Sequence, residues 1–427
     1  MKTEQLHSLY LKCKGISTDT RKISKNNMYF ALKGDNFNGN TFANQALKEG
    51  AKYVIIDEPE YKTSDQTILV DNVLESLQSL ASFHRTYLNV PIIALTGSNG
   101  KTTTKELINC VLSKEYKTVA TVGNLNNHIG VPLTLLSMTK ETEIGIVEMG
   151  ANHQKEIEFL CTIAKPDYGY ITNFGKAHLE GFGGIQGVIK GKSEMYSYLI
   201  ENNKYIFLNA DDTIQKEKLN TYIKKFGFSE TDNNYFKIKF IDANPFVSFK
   251  IEDTVIHSQL IGKYNFTNLC AASIIGKYFN VPISTIKKAI ENYTPTNNRS
   301  QTIEKGNNKI ILDAYNANPT SMVAALEHFS NLKDDTKIAF LGDMFELGKD
   351  ANREHQAIAD LATNLDFDKV YLIGKNFYKT EINTKDTELY ETFEALKENF
   401  NTIAIDNATL LIKGSRGMAL ERLLDLL

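Results

Sequence analysis

Residues 97 to 102 read G-S-N-G-K-T, between the apolar run "IIALT" and a stretch in which Leu107, Ile108, Val111 and Leu112 form one stripe. A glycine loop joining a strand to a helix presents free backbone N–H groups at the positive end of the helix dipole, a place suited to phosphate. Gly97, Ser98, Asn99, Gly100, Lys101, Thr102 and Thr103 are therefore candidates for cradling a nucleotide's phosphates. Lys101 supplies a point charge for the outer phosphates, and the Thr102 hydroxyl is placed to hold Mg²⁺. The generic phosphate-loop pattern needs a glycine five residues before Gly100, where Leu95 stands, so the strand and helix context carries the reading. A plain glycine turn with an exposed lysine and a threonine cap is the alternative.

Other polar residues stand at places where chemistry is done. Glu148 ends the apolar strand "IGIVE", where a buried charge is costly unless it is paired or bound to metal. His178 follows "YGYITNF" in a glycine-rich loop at the expected sheet edge. Taken alone, Lys192 in "GKSEMY" reads as a solvated helix lysine. Asn265 and Asn268 in "GKYNFTN" read as helix caps, and Arg299, Asp313, Tyr315 and Asn316 as hinge and strand-end polars. "STDTR" (Ser17, Thr18, Asp19, Thr20, Arg21) and "GNLNN" (Asn124, Asn126, Asn127) offer hydroxyl, amide and guanidinium donors, although turn chemistry explains them as well. "KGSR", Lys413 to Arg416, is expected to open a last helix and to face a carboxylate or phosphate.

The elements that must position these residues alternate along most of the chain. "NNMYFALKG" and "FANQALKEGAKYVIID" give strand, helix and strand, closing a small α/β module near residue 85. From Pro91 the pattern is that of a parallel sheet, through "IIALTG", "EIGIVEMG", "YGYITNFG" and "KYIFLNADD". Between residues 229 and 262, "YFKIKFID", "FVSFKIED" and "VIHSQLIG" read as an antiparallel meander. Helices near 266–279 and 284–292 lead to the loop "YTPTNNRS", after which "NKIILDAY", "KIAFLGDM", "KVYLIG" and "ATLLIKGS" alternate with helices again. The reading is an α/β chain of three domains: 1–85, 86–298 as a phosphate-loop domain with an antiparallel β insertion, and 299–427 as a Rossmann-like domain. At 427 residues the chain exceeds what one core holds.

A net charge of −3 excludes a global positive field that would draw the chain onto nucleic acid. No apolar run approaches the ~20 residues that span a bilayer, and the first residues lack a secretory h-region. Cys13, Cys110, Cys161 and Cys270 lie too far apart for a metal or redox motif and fit buried thiols in a reducing cytosol.

With "GSNGKTTTKE", "GNLNNHIGVPLTLL", "EMGANHQKEI", "TNFGKAHLEGFGG" and "KGKSEMY" in that order, the chain resembles the Mur ligases of cell-wall synthesis. "LDAYNANPTSMVAAL", "LGDMFELG" and "KGSR" are similar to the branch that adds D-alanyl-D-alanine to UDP-N-acetylmuramoyl-tripeptide, and "STDTRKI" with "MYFALKG" resembles its uridine-binding domain. The resemblance implies an ATP-dependent amide ligase acting through an acyl phosphate and working as a cytoplasmic monomer.

It makes Glu148 and Thr102 ligands of one Mg²⁺ and His178 a ligand of a second. Lys192 becomes a lysine carbamylated by CO₂ that supports metal. Asn265 and Asn268 come near the nucleotide, Arg299 onto phosphate, Asp313 onto the ribose, and Tyr315 and Asn316 onto substrate. Lys101, His178 and Lys192 are the catalytic candidates. For the UDP-sugar peptide the resemblance points to residues 17–21 and Asn124, Asn126 and Asn127. Two departures stand out: Tyr264 occupies a position where the family has histidine, and Gln154 and Lys155 stand where it often has Pro-Gly. A ligase of the folylpolyglutamate type shares the loop and metal logic but lacks the first ~85 residues' uridine-binding module. A nucleotide-dependent switch needs only the loop.

Overall fold

Ile92–Thr96 is buried at every position, which five consecutive apolar or small side chains permit only where both faces of a sheet are covered. In a computed structural model that describes residues 1–400 and 405–427, this strand is third from one edge of a nine-stranded sheet. Its parallel neighbours are Tyr168–Ile171 on one side and Ile144–Glu148 on the other, with Thr118–Ala120 beyond the latter at the edge. The parallel arrangement puts the loops after these strands, and hence Gly97, Glu148 and His178, on one edge of the sheet.

On the far side, Tyr205–Asn209 and Lys225–Ser229 continue the parallel pairing. Phe236–Ala243, Phe246–Ile251 and Thr254–Ile261 form the expected antiparallel β insertion of this domain. Phe228 pairs in parallel with Phe236, so the meander prolongs the same sheet. Helices Lys101–Leu112 and Phe266–Tyr278 bury Leu107, Ile108 and Val111 against Leu269, Ala272 and Ile275 in one core.

A four-stranded parallel sheet precedes this one, in the order Gly15–Ser17, Asn27–Phe30, Tyr53–Ile56 and Thr67–Leu69. A six-stranded sheet follows, with Asn308–Asp313 and Lys337–Gly342 flanking Thr409–Lys413 in parallel and Gln301–Lys305 antiparallel at one edge. That edge strand and Thr387–Tyr390 at the other edge have no counterpart in the sequence reading. The expected last helix after Lys413 is replaced by two 3₁₀ turns, Arg416–Met418 and Leu420–Asp425. No helix among the described residues is long and apolar enough to cross a membrane.

Helix Val73–Leu88 runs through residue 85 and is tied to the central sheet's helices. Arg85 donates to the carbonyls of Ala164 and Lys165 and pairs with Asp167 at 2.6 Å. His84 lies beside it. Its Nε2 donates to the Met138 carbonyl at 3.0 Å, so its Nδ1 is left to accept from Nε2 of His7 at 3.0 Å. That relay needs a neutral His84, whose Nδ1 must keep its lone pair; His7 donates through Nε2–H in either protonation state. Burial lowers both pKa values; the His84 charge adds to this for His7, and the Met138 carbonyl opposes it for His84.

Below a pH of about 6.5 the unfolded chain therefore binds more protons than the folded one, and stability falls as pH falls. The expected loss is up to about 1.4 kcal/mol per pH unit for each histidine. Thermal unfolding at pH 7.5 and 5.5 reads it, and an unchanged midpoint would refute the lowered pKa values and the neutral His84.

Candidate active site

The glycines of the loop are required by its geometry. Gly97 has φ +147°, and a Cβ there would stand 1.9 Å from Thr172 Oγ1; Gly100 has φ +77° and would put one 2.6 Å from Asn268 Oδ1. Helix Lys101–Leu112 starts directly after Gly100, so the N–H groups of its first turn point into the loop. Lys101 folds back, donating to the carbonyls of Gly97 at 2.7 Å and Ser98 at 3.3 Å. Burial pushes its pKa down to about 8, with the Glu148 carboxylate opposing and Arg299 adding to the fall. An incoming anion would restore full protonation and give the ammonium a stronger partner than a carbonyl.

Glu148 is 1% exposed at the end of its strand. Oε1 accepts from Asn126 Nδ2 at 2.8 Å and from Thr102 Oγ1 at 3.3 Å, while Oε2 is buried without a partner. A carboxylate oxygen out of water with nothing donating to it is the donor set a hard cation takes. The chemistry of Glu148 and Thr102 fits Mg²⁺.

His178, in the left-handed region at φ +52°, is hydrogen-bonded through Nδ1 to Glu346 Oε2, a residue of the C-terminal sheet's loops. The backbone N–H of Glu180 also donates to the Glu346 carbonyl. Lys192, read from sequence as solvated, is fully buried. Its Nζ lies 5.1 Å from the centre of the Phe182 ring and has no hydrogen-bond partner. Burial, with the Lys101 charge second, holds its pKa well below the usual lysine value. It stands on helix Ile185–Glu201, beside Glu194, whose carboxylate accepts from the N–H of Lys155 at 2.6 Å. Lys155 sits at φ +74°, a conformation that favours glycine.

Asn265, Asn268 and Thr104 form a chain of hydrogen bonds behind the loop. Thr104 Oγ1 donates to Asn268 Oδ1 at 3.0 Å, and Asn268 Nδ2 donates to Asn265 Oδ1 at 2.8 Å. On the C-terminal side, the Arg299 guanidinium stacks 3.9 Å over the Tyr315 ring. Asp313 accepts from the N–H of Ser300 at 3.2 Å and from Lys413 Nζ at 2.5 Å. Lys413 is thus buried and paired with Asp313, and with Ser415 and Arg416 of the same "KGSR" run it lines the cavity described below. Asn99 of the loop exchanges amide hydrogen bonds with Asn318, which caps helix Pro319–Ser330.

All of this surrounds a cavity of about 730 Å³. Its lining brings together Ser98 to Thr103, Asn124, Asn126, Asn127, Glu148, His178, Asn265, Asn268, Arg299, Asp313, Tyr315 and Asn316. Gly97 and Lys192 lie behind the wall. Ser17, Thr18, Asp19, Thr20 and Arg21 do not line it; Arg21 is instead held by its own neighbour, donating to both oxygens of Asp19 at 2.9 and 2.8 Å. Glu346, Phe345, Thr320 and Tyr264 also line the cavity and were not singled out as site residues from sequence. The glycine-rich "LGDMFELG" run was the available signal for Glu346.

Known proteins match this chain from end to end. Residues 12–85 match the catalytic domain of the Mur ligase family, 95–276 the Mur ligase middle domain and 298–416 the Mur ligase glutamate ligase domain. The UDP-N-acetylmuramoyl-tripeptide--D-alanyl-D-alanine ligase of Bacillus subtilis is 34% identical over 426 residues, covering 96% of this chain and 92% of the relative. The chain is a Mur ligase. The Escherichia coli enzyme of the same name is 32% identical, over 95% of this Mur ligase and 92% of the relative. MurF from Acinetobacter baumannii superposes with a TM-score of 0.87 at 29% identity, covering 100% of this chain and 98% of that one. The MurF ligase from Thermotoga maritima in complex with ADP gives 0.83 at 25% identity, covering 98% and 97%.

Proposed function

We propose that this Mur ligase joins D-alanyl-D-alanine to UDP-N-acetylmuramoyl-tripeptide in peptidoglycan precursor synthesis. ATP phosphorylates the tripeptide's terminal carboxylate, the dipeptide amine attacks the acyl phosphate, and ADP and phosphate leave. The observation that carries the reading is one cavity walled by the glycine loop of the central domain and by Arg299, Asp313 and Tyr315 of the C-terminal one. Phosphoryl transfer to a carboxylate crowds anions together, so it needs fixed cations and in-line oxygens.

Lys101 and the loop N–H groups supply the outer phosphates' partners. Arg299 is assigned to phosphate, Asp313 to the ribose, and Asn265 and Asn268 to the nucleotide. Glu148, Thr102, His178 and a carbamylated Lys192 would hold two Mg²⁺, whose charge would offset the repulsion between carboxylate and γ-phosphate. Lys192 suits carbamylation because its amine is buried without a partner: CO₂ bonds to that nitrogen, a proton leaves, and a carboxylate results. Residues 1–85, with Ser17 to Arg21, are assigned to the UDP-sugar. Asn124, Asn126 and Asn127, with Tyr315 and Asn316, are assigned to the peptide substrates across the cavity. The division at residues 85 and 298, action as a monomer and a cytoplasmic setting belong to the same proposal.

Phosphate release from Mg²⁺-ATP tests it. Release is expected only with both UDP-muramoyl-tripeptide and D-alanyl-D-alanine present, with a product mass equal to their condensation. Release without an amine acceptor would favour a nucleotide switch instead.

A further inference from the structure

Tyr264, which the sequence resemblance sets at a position of histidine, has surroundings that give the phenol a task of its own. It lies in the 3₁₀ turn Lys263–Asn265 at the head of helix Phe266–Tyr278, whose Asn268 abuts Gly100 of the loop. The ring packs across Gly262, where a Cβ would sit 2.3 Å from Cε1, and it lines the cavity. Its hydroxyl shares a 2.8 Å hydrogen bond with Ser300 Oγ, and its ring meets His328 edge-on at 6.4 Å.

Ser300 and His328 both belong to the C-terminal side. Ser300 follows Arg299 directly, and its N–H donates to Asp313 at 3.2 Å. The segment is held in an uncommon shape, with Asn298 at φ +54° and Ser300 at φ +49°, which persists only if the surroundings enforce it. Buried Ser300 has two enforcing bonds: Asp313 on its N–H and Tyr264 on its hydroxyl.

We infer that Tyr264 is a positioning residue for the nucleotide: its hydroxyl fixes Ser300, and through Ser300 fixes Arg299 and Asp313 relative to the glycine loop. An imidazole carries its far nitrogen closer to the backbone than a phenol carries its oxygen, so histidine here does not reach Ser300 in the same way. The inference rests on the assignment of the cavity to ATP.

The experiment compares Tyr264→Phe, Ser300→Ala and the double variant in the full chain, reading ADP binding by calorimetry and steady-state rates with ATP varied. Each single variant is expected to raise the ADP Kd and the KM for ATP about five-fold, the loss of one ordinary hydrogen bond, with KM for the other two substrates moving less. The double variant is expected to be no worse than either single one. Tyr264→His is expected to match Tyr264→Phe and not the unaltered protein. Wild-type ADP affinity in Tyr264→Phe, or effects that add in the double variant, would overturn the inference while leaving the nucleotide assignment intact. Failure of the unaltered protein to bind ADP would overturn both.

Discussion

Glu148→Gln is expected to cut ligase turnover roughly 10²–10³-fold while making the ligand-free protein more stable. The two effects have one cause. Oε1 of Glu148 is satisfied by Asn126 and Thr102, but Oε2 is buried with no donor, so the carboxylate's charge is only partly compensated, by those two bonds and the nearby Lys101 ammonium. Glutamine keeps the shape and the accepting oxygen and removes the charge, which should return about 1 kcal/mol to the ligand-free fold even after an unpaired amide N–H is charged against it. The same change removes the anion proposed to hold Mg²⁺. ADP with Mg²⁺ should raise the unfolding midpoint of the unaltered protein by mass action and raise that of the variant much less. Calorimetric scans of both proteins, with and without Mg²⁺-ADP, read both effects. A variant that is still stabilised by Mg²⁺-ADP as strongly as the unaltered protein would remove Glu148 from the metal site.

Local physics flags the cost of burying Glu148 at the end of an apolar run but leaves an exposed strand-end carboxylate as the commoner reading, and the resemblance tips it towards metal; the structure shows that it is buried. The glycine loop was legible from its strand and helix context, and so were the fully buried strands on either side of it, Ile144–Glu148 and Tyr168–Ile171. What stayed hidden depends on residues far apart in the chain. His178 meets Glu346 and Asn99 meets Asn318 only because the C-terminal domain closes on the loop, and neither pair leaves a local trace. The meander's strands were readable, but its attachment was not, since it joins the parallel sheet through one short pairing at Phe228 and Phe236.

Lys192 is an instructive miss. Its neighbours Lys190 and Glu194 make the stretch look solvated, yet Val188, Lys192, Met195 and Leu199 fall at helical spacing on one buried stripe of helix Ile185–Glu201. Periodicity placed the lysine inside; the general habit of lysine to stay in water obscured it.

That position makes Lys192 the site of the second large effect. Lys192→Ala is expected to lower turnover by at least about 10²-fold, and Lys192→Arg to do the same, because a permanently charged guanidinium can neither take up CO₂ nor support a cation. Adding formate or acetate should return part of the rate to Lys192→Ala, since the truncated side chain leaves room for a small carboxylate, and none to Lys192→Arg, whose side chain fills it. Stability should move the other way: Lys192→Met replaces a buried amine that has no partner by an apolar chain of similar length, and the ligand-free midpoint should rise.

Carbon-13 spectra of protein equilibrated with labelled bicarbonate supply the direct reading, a carbamate signal present in the unaltered chain and absent from Lys192→Met. The outcomes separate two roles that activity alone confuses. If Lys192 served only to fill the core beside Phe182, methionine would preserve turnover and no labelled carbon would appear. If it supports metal as a carbamate, methionine is as inactive as alanine, and only alanine responds to added carboxylate.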